Sequence, residues 1–443
     1  MEKKSHFQIQ IDSYVANILR ETINSEKDMY LNRESDIKIN RKTKKYRSWD
    51  LTCAIMDRLD DTVEYLNSLQ LNTGEYKKSA VDFFNFINQA TVIIDCVDTL
   101  AELFNISLED ENQNTDIFNM SGLNKKGTDK KYFEYIRSIC SVHPVDTSYY
   151  REIYQESDFE CSPFVSWNQN HFWQDPNFDI FAVVYTNEKN EGNKTLKIKI
   201  SEVFEYIKFR YSLLEKIISE IKKEQESIII SYIETPIKRV SDFGDYTVYL
   251  ENLKIEEEQR FGTNSIHFIE FMISLVNLKI SNSLNIDHYN KFCAAMMYAI
   301  EFQHNALQNR SYEGFENNGI EFPQKDCETT LLKELYYANS RSKGRDAHIY
   351  KLEKIADLNY DSGNVKKGYA YEMLNAAKPF LEKYVSFEDA AGDFEHYALV
   401  QVSLYFECLG NNCLLNKNIP NDLKFRDTLL TDEHRKELLK EQE

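Results

Sequence analysis

Residues that interrupt helices are scarce along the whole chain. Only 13 glycines and 7 prolines are spread over 443 residues, so few positions force a turn or end a helix. This scarcity excludes collagen-like, linker-rich and turn-dense all-β chains. Hydrophobic residues make up 42% of the chain and charged residues 28%, which is typical of a folded globular protein and excludes a wholly disordered one. The sequence therefore predicts a mainly α fold.

Two long apolar patterns predict an N-terminal helical bundle. The first helix is predicted from about residue 49 to residue 69, with apolar residues three or four positions apart: Leu51, Ile55, Leu59, Val63 and Leu66. This spacing places them on one helical face. The second, from about 78 to 105, is apolar around most of its circumference, as expected at the centre of a bundle. A third helix is predicted from Asp129 to near His143, because Pro144 disfavours helical geometry before it.

The sequence predicts three parts, with a polar segment before the last one. Residues 1–150 form the predicted helical bundle, and residues 151–235 are predicted as an aromatic loop, one small β-hairpin near 180–200 and a long helix. The polar, turn-rich stretch 234–262 predicts a boundary. Residues 263–443 are predicted as a C-terminal helical domain, with helices over 264–279, 286–308, 328–340, 346–357, 365–384 and 387–409.

Several sequence features that are common in secreted, membrane and cofactor-binding proteins are absent from the chain. The first residues contain no apolar signal-peptide core, and no run approaches 18 apolar residues, so we expect a cytoplasmic protein with no membrane span. Eight cysteines are scattered without a CxxC pair, which predicts reduced thiols and no structural zinc. No phosphate-binding glycine loop, HExxH or GxSxG motif is present. We therefore expect no metal and no cofactor.

The net charge of −19 excludes a protein that coats nucleic acid along its whole surface, because phosphate repels an acidic chain. Two short runs are nevertheless basic, and local runs of this kind are candidate RNA-phosphate contacts. Alternatively, they are solvated loops or a surface that binds an acidic partner. The two runs contain Lys125, Lys126, Lys130 and Lys131, and Arg41, Lys42, Lys44, Lys45 and Arg47.

One pair of residues has a pattern that suggests chemistry. Arg137 and His143 are separated by five residues at the end of the third predicted helix. Two other pairs, Arg260 with His267 and Arg341 with His348, have six residues between them, so spacing alone does not select one pair. Both lie in polar stretches without a clear apolar periodicity. Only Arg137 is on a predicted helix that follows two long apolar helices.

This pattern resembles the Arg-x4–6-His signature of the HEPN superfamily, whose members include metal-independent ribonucleases of toxin and defence systems. The resemblance covers roughly residues 49–145. It implies a toxin or anti-phage endoribonuclease in which His143 is the acid/base and Arg137 stabilises phosphate. It also implies a homodimer with the two dyads facing each other. Ser138 follows the arginine where the family often has Asn, Asp or His, and Pro144 departs from the family pattern. The C-terminal domain would bind an activator or a protein partner.

Other interpretations of the same residues stay open. Arg137 can pair with a carboxylate such as Glu134 or Asp146, and His143 can stabilise a helix C-terminus. The chain would then be a non-catalytic helical scaffold whose acidic surface binds a basic partner. A third alternative is a nucleotide sensor in which the dyad holds phosphate without cleaving it.

Overall fold

A computed structural model of the chain forms two units, Met1–Ser227 and Ile228–Glu443. It describes residues 6–31, 33–39, 42–73, 76–142, 150, 152–155, 160–162, 165–168, 175–186, 194–262, 267–311, 327, 329–335, 350–360 and 363–414. The described residues are mainly helical, which confirms the predicted fold class. Each unit has its own hydrophobic core.

The helices of the first unit are α1 (Tyr14–Ser25), α2 (Asp28–Leu31), α3 (Ser48–Ser68), α4 (Tyr76–Leu103), α5 (Glu109–Asn112), α6 (Asp129–Arg137) and the first part of α7 (Ile200–Glu234). A π-helical turn, Ser138–Val142, follows α6 directly. The predicted apolar periodicities are confirmed, because Leu59, Val63 and Leu66 of α3 are buried where α3 packs on α4. In α4, Phe83, Ile93 and Val97 are fully buried.

The predicted hairpin near 180–200 is confirmed and belongs to a larger sheet. Strand β7 (Ile180–Thr186) pairs antiparallel with β8 (Lys194–Ile198), with Ile180 opposite Ile198. It also pairs with β5 (Glu160–Cys161) and β6 (Val165–Trp167). The residues of this sheet share one core with α3 and α4. The predicted boundary at residue 150 is therefore not a boundary of the core, and the division falls at residue 227.

Two further strand pairs were not predicted. Strand β1 (His6–Phe7) pairs with β4 (Leu71–Asn72), and β2 (Glu34–Ile39) pairs with β3 (Lys42–Arg47). The second pair includes part of the run that the sequence suggested was a polar basic segment. Ile37 of β2 is completely buried, while most charged residues of this hairpin are exposed. Ile37 anchors the apolar face, and the ion pair of Lys45 with Glu34 joins the two strands on the exposed face.

In the second unit, the last residues of α7 are followed by α8 (Val240–Phe243), α9 (Tyr246–Phe261), α10 (His267–Asn277) and α11 (Ile286–Asn309). Described residues then form α12 (Thr330–Leu335), α13 (Tyr350–Ile355), α14 (Asn364–Leu381) and α15 (Gly392–Gly410). The prediction that residues 234–262 are turn-rich is wrong, because α8 and α9 occupy most of this stretch. Two of the buried residues of α9 are charged, Glu257 and Arg260, so its apolar pattern is interrupted.

Candidate functional site

The candidate site begins with helix α6, whose start is fixed by side-chain hydrogen bonds. Thr128 caps the helix by accepting the backbone N–H of Lys131 at 3.3 Å. The carboxylate of Asp129 accepts the backbone N–H groups of Ile117 and Phe118 at 3.1 and 2.9 Å. A carboxylate in the first turn also interacts favourably with the helix dipole. The loop before α6 and the helix itself therefore have a fixed relation.

Arg137 is the last residue of α6 and is half-buried. The backbone widens immediately after it into the π-helical turn Ser138–Val142, which packs against α4. Single π-helical turns are uncommon and are frequent at functional sites. His143 follows this turn and lies outside the described residues, so its pairing with Arg137 stays a prediction.

Charged side chains of α4, α6 and α7 meet beside Arg137. Asp98 of α4 accepts a hydrogen bond from Lys130 Nζ at 2.7 Å and forms an ion pair with Arg210 of α7. Arg210 is completely buried and also donates to Asn112 at 2.8 Å. We call this group the α4–α6 charge cluster; its members are Asp95, Asp98, Lys130, Glu134, Arg137 and Arg210.

Asp95 links Arg137 to this cluster. Desolvation raises the pKa of Asp95, and the positive charge of Arg137 is the strongest influence in the opposite direction. Asp95 is exposed, so water screens this interaction. Asp95 and Asp98 are three residues apart on α4, whereas Lys130, Glu134 and Arg137 are spaced by four and three on α6. Residues at these spacings share a helical face, and the two faces oppose each other through Asp98 and Lys130.

A polar cleft of about 370 Å³ opens beside the same face of α6. Within it, Tyr150 donates its phenolic hydrogen to Glu134 at 2.9 Å. The cleft thus presents amide, hydroxyl, ammonium and carboxylate groups one helical turn from Arg137. Its lining residues are Asn112, Gln113, Thr128, Lys130, Lys131, Glu134, Tyr150 and Ile153.

The predicted lysines around α6 are brought to this region but differ in their contacts. Lys130 is paired with Asp98, and Lys131 Nζ donates to the backbone oxygen of Lys126 at 2.7 Å. Lys125 and Lys126 are exposed on the loop. Lys125 and Lys126 are therefore the two that extend into solvent, whereas the charge of Lys130 is partly neutralised within the unit.

The second predicted basic run lies on the β2–β3 hairpin. Arg41 lies outside the described residues, as does the side chain of Lys42. Lys44, Lys45 and Arg47 are exposed. Lys45 forms an ion pair with Glu34 across the hairpin, and Arg47 lies 3.2 Å from Asp50.

The competing arginine–histidine pairs have different outcomes. Arg260 is 2% exposed, and its guanidinium donates to the backbone oxygens of Tyr232 and Thr235 at 2.6 and 2.9 Å and to Glu256 at 2.9 Å. These bonds satisfy carbonyls at the end of α7, so Arg260 has a structural role. The side chain of His267, and both Arg341 and His348, lie outside the described residues.

Sequence reasoning missed three members of the α4–α6 charge cluster. Asp95, Asp98 and Arg210 were not predicted as site residues. A signal existed for Arg210, because it follows Tyr206 and Ile207 and precedes Leu214 on the apolar face of α7, and all three neighbours are buried. A charged residue on such a face requires a buried partner. The partner's identity depends on tertiary packing and is not visible in the sequence.

No protein-family model matches the chain, and no curated protein and no solved structure matches it. Within the described ranges, no group of three His, Cys, Asp or Glu side chains is placed to hold a metal ion. One described helix, Lys78–Leu103 within α4, is long and apolar enough to cross a membrane, with a mean hydropathy of 1.2 over its most apolar window. Half of that window is buried inside the protein.

Proposed function

We propose that the chain is a cytoplasmic, metal-independent endoribonuclease of the HEPN type, in which Arg137 stabilises phosphate and His143 is the acid/base. The observation that carries this proposal is the position of Arg137. It ends α6 one helical turn beyond Glu134 of the polar cleft, it is half-buried and within electrostatic reach of Asp95, and a π-helical turn separates it from His143 in the sequence.

The residue types suit cleavage of RNA by its own 2′-hydroxyl. Neutral His143 takes the proton of the 2′-hydroxyl as this oxygen attacks the adjacent phosphorus. The bond from phosphorus to the 5′-oxygen breaks, and a protonated histidine supplies the proton that this oxygen needs. Negative charge grows on the non-bridging phosphate oxygens, where the forked guanidinium of Arg137 donates two hydrogen bonds. The products are a 2′,3′-cyclic phosphate and a 5′-hydroxyl.

The charge cluster gives Asp95 and Asp98 a positioning role in this proposal. Asp98 is occupied by Lys130 and Arg210, so Asp95 is the carboxylate of α4 that orients Arg137. Exposed Lys125 and Lys126 supply positive charge near the cleft for the RNA backbone. As part of the same proposal, two copies of the chain form a homodimer with their dyads facing each other, and the second unit binds an activator or partner of a toxin or anti-phage system.

Cleavage of mixed RNA by the full chain in EDTA tests the proposal. We expect Arg137→Ala and His143→Ala each to lower the single-turnover rate at least 100-fold, in the range typical of acid–base and charge-stabilising groups. Arg137→Lys should restore little, because an ammonium lacks the fork. Arg20→Ala is the matched control, since Arg20 forms surface ion pairs with Asp57 and Asp60 in the same unit. Cleavage that is indifferent to both site variants contradicts the proposal.

A non-catalytic scaffold is the second candidate function. The observation in its favour is that Lys130, Lys45 and Arg47 each contact a carboxylate, which leaves fewer cations for RNA. In this alternative the acidic surface binds a basic protein. It predicts that purified chain cleaves no RNA with or without the site variants, and that Arg137→Ala lowers stability instead.

A further inference from the structure

Two cysteines that are far apart in the sequence meet in the second unit. Cys327 precedes α12 and Cys413 follows α15; the structure joins their sulfurs across 86 residues of chain, with the Cα atoms 5.5 Å apart. This separation is within the usual range for a disulfide. Sequence analysis did not predict that these two cysteines meet. The other six cysteines, all within the described ranges, form no disulfide.

The local backbone and neighbouring side chains hold the two cysteines together. Asn412 has a positive φ of 55°, which turns the chain back after α15, and the N–H of Cys413 donates to the oxygen of Cys408 at 2.7 Å. Glu407 of α15 accepts a hydrogen bond from Thr329, two residues after Cys327, and this bond helps to lower the pKa of Glu407 against desolvation. Hydrogen bonds thus hold the start of α12 near the end of α15 in addition to the sulfur–sulfur bond.

The two sulfurs differ in access. Cys413 is 2% exposed, whereas Cys327 is half-buried. A dissolved oxidant therefore reaches Cys327 first. Cys408, five residues before Cys413, is buried, and desolvation raises the pKa of its thiol to about 12. Such a thiol is poorly reactive because little thiolate is present near neutral pH.

We infer that Cys327 and Cys413 are a reversible redox pair that locks the second unit when the surroundings become oxidising. The thiolate of Cys327 attacks a sulfur of a small-molecule disulfide, such as oxidised glutathione, and releases one thiol. The thiolate of Cys413 then attacks the Cys327 sulfur of this mixed disulfide and releases the second thiol. Two protein thiols are oxidised, one external disulfide is reduced to two thiols, and the two protons end on those thiols.

The lock acts on the stability of the second unit. A cross-link between residues 86 positions apart restricts the unfolded chain, so the folded state gains stability relative to it. In a reducing cytosol the pair is a dithiol, and protein disulfides there are commonly transient and redox-sensing. Oxidation would therefore change the stability of the unit that carries α12 and α15, while the proposed ribonuclease site is in the other unit. This inference does not depend on the proposed ribonuclease activity.

Alkylation and thermal unfolding of the full chain test the inference. The chain is equilibrated with dithiothreitol or oxidised glutathione, denatured in iodoacetamide, and weighed by mass spectrometry. We expect eight alkylated cysteines after reduction and six after oxidation, with Cys327 and Cys413 unmodified. The oxidised chain should unfold at a Tm higher by an amount on the order of 10 °C.

Variants make the test specific. Cys327→Ser should carry seven alkylated cysteines in both conditions and lose the Tm shift. Cys408→Ser is the matched control, and it should keep the shift with seven and five alkylated cysteines. Cys327→Ser is the deciding variant, because Cys413 is buried and its serine variant can misfold. Equal alkylation of the wild type in both conditions, a shift that Cys408→Ser abolishes, or a disulfide-linked dimer as the oxidised product would overturn the inference.

Discussion

The two units each bury an arginine almost completely, and they satisfy it in different ways. In the first unit, Arg210 pairs with the carboxylate of Asp98 and donates to Asn112. In the second unit, Arg260 donates to the backbone oxygens of Tyr232 and Thr235. Arg260 also pairs with the carboxylate of Glu256, which lies one turn earlier on the same helix, whereas the carboxylate partner of Arg210 belongs to another helix.

This difference explains why the candidate site is in the first unit. The carboxylate that Arg210 requires, Asp98, is shared with Lys130 of α6. The same face of α6 carries Arg137, and Asp95 of α4 is within its electrostatic reach. A buried arginine thus gathers charged residues around one half-exposed arginine. Arg260 is satisfied differently, because helix-end carbonyls accept from both of its terminal nitrogens and the carboxylate that it pairs with lies on its own helix.

The largest effect is expected from removing the shared carboxylate. Asp98→Ala leaves the completely buried Arg210 without its anionic partner, which should lower the free energy of unfolding by about 3–5 kcal/mol. Arg210→Met should cost less, because Asp98 is 29% exposed and keeps Lys130. Urea unfolding measures both, with Asp110→Ala on the exposed face of α5 as the control. An Arg210→Met variant that is less stable than Asp98→Ala would reverse this account of the cluster.

A smaller effect is expected from the arginine of the second unit. Arg260→Met leaves buried carbonyls without a donor, which should lower the free energy of unfolding by roughly 2–3 kcal/mol. RNA cleavage by the folded variant should be unchanged, because Arg260 binds backbone oxygens at the end of α7 and is not part of the proposed site. Thermal unfolding and the cleavage assay are measured on the same preparation. Lost cleavage in a folded Arg260→Met variant would move the site to the second arginine–histidine pair.

The smallest expected effect is on the pH dependence of stability, and it comes from a buried carboxyl group near Arg260. Glu257 of α9 is fully buried, and Gln303 donates to one of its oxygens at 3.3 Å. Desolvation raises the pKa of Glu257 to about 7, and the Gln303 hydrogen bond lowers it by less. The pKa of Glu257 is higher in the folded chain than in the unfolded chain. The stability that protonated Glu257 contributes is therefore fully present below the unfolded pKa and is lost as the pH rises through 7.

We expect the free energy of unfolding to fall by roughly 1 kcal/mol between pH 6 and pH 8 because of Glu257. Glu257→Gln, which cannot ionise, should remove this part of the pH dependence and be more stable than the wild type at pH 8. Urea unfolding at both pH values measures it, with exposed Glu251→Gln of the same helix as the control. A wild type and a Glu257→Gln variant with parallel pH profiles would show that Glu257 is ionised throughout.

The sequence predicted the elements whose apolar residues repeat cleanly. Helices α3 and α4 and the β7–β8 hairpin belong to this class. Helix α9 was missed because Glu257 and Arg260 occupy core positions, where a pattern of apolar residues shows gaps. The β2–β3 hairpin was missed because charged residues support its outer face. Arg137 could be proposed from its helix and spacing, but Asp95, Asp98 and Arg210 could not, since their meeting depends on how three helices pack.

The chemical identity of the RNA ends tests the central claim most directly. A labelled RNA is incubated with the full chain in EDTA, and the termini of the products are determined. Attack by the 2′-hydroxyl predicts products with a 2′,3′-cyclic phosphate and a 5′-hydroxyl, formed by the wild type and not by His143→Ala. Products with a 5′-phosphate, or identical products from His143→Ala at the wild-type rate, would contradict the assignment of Arg137 and His143 as the reacting pair.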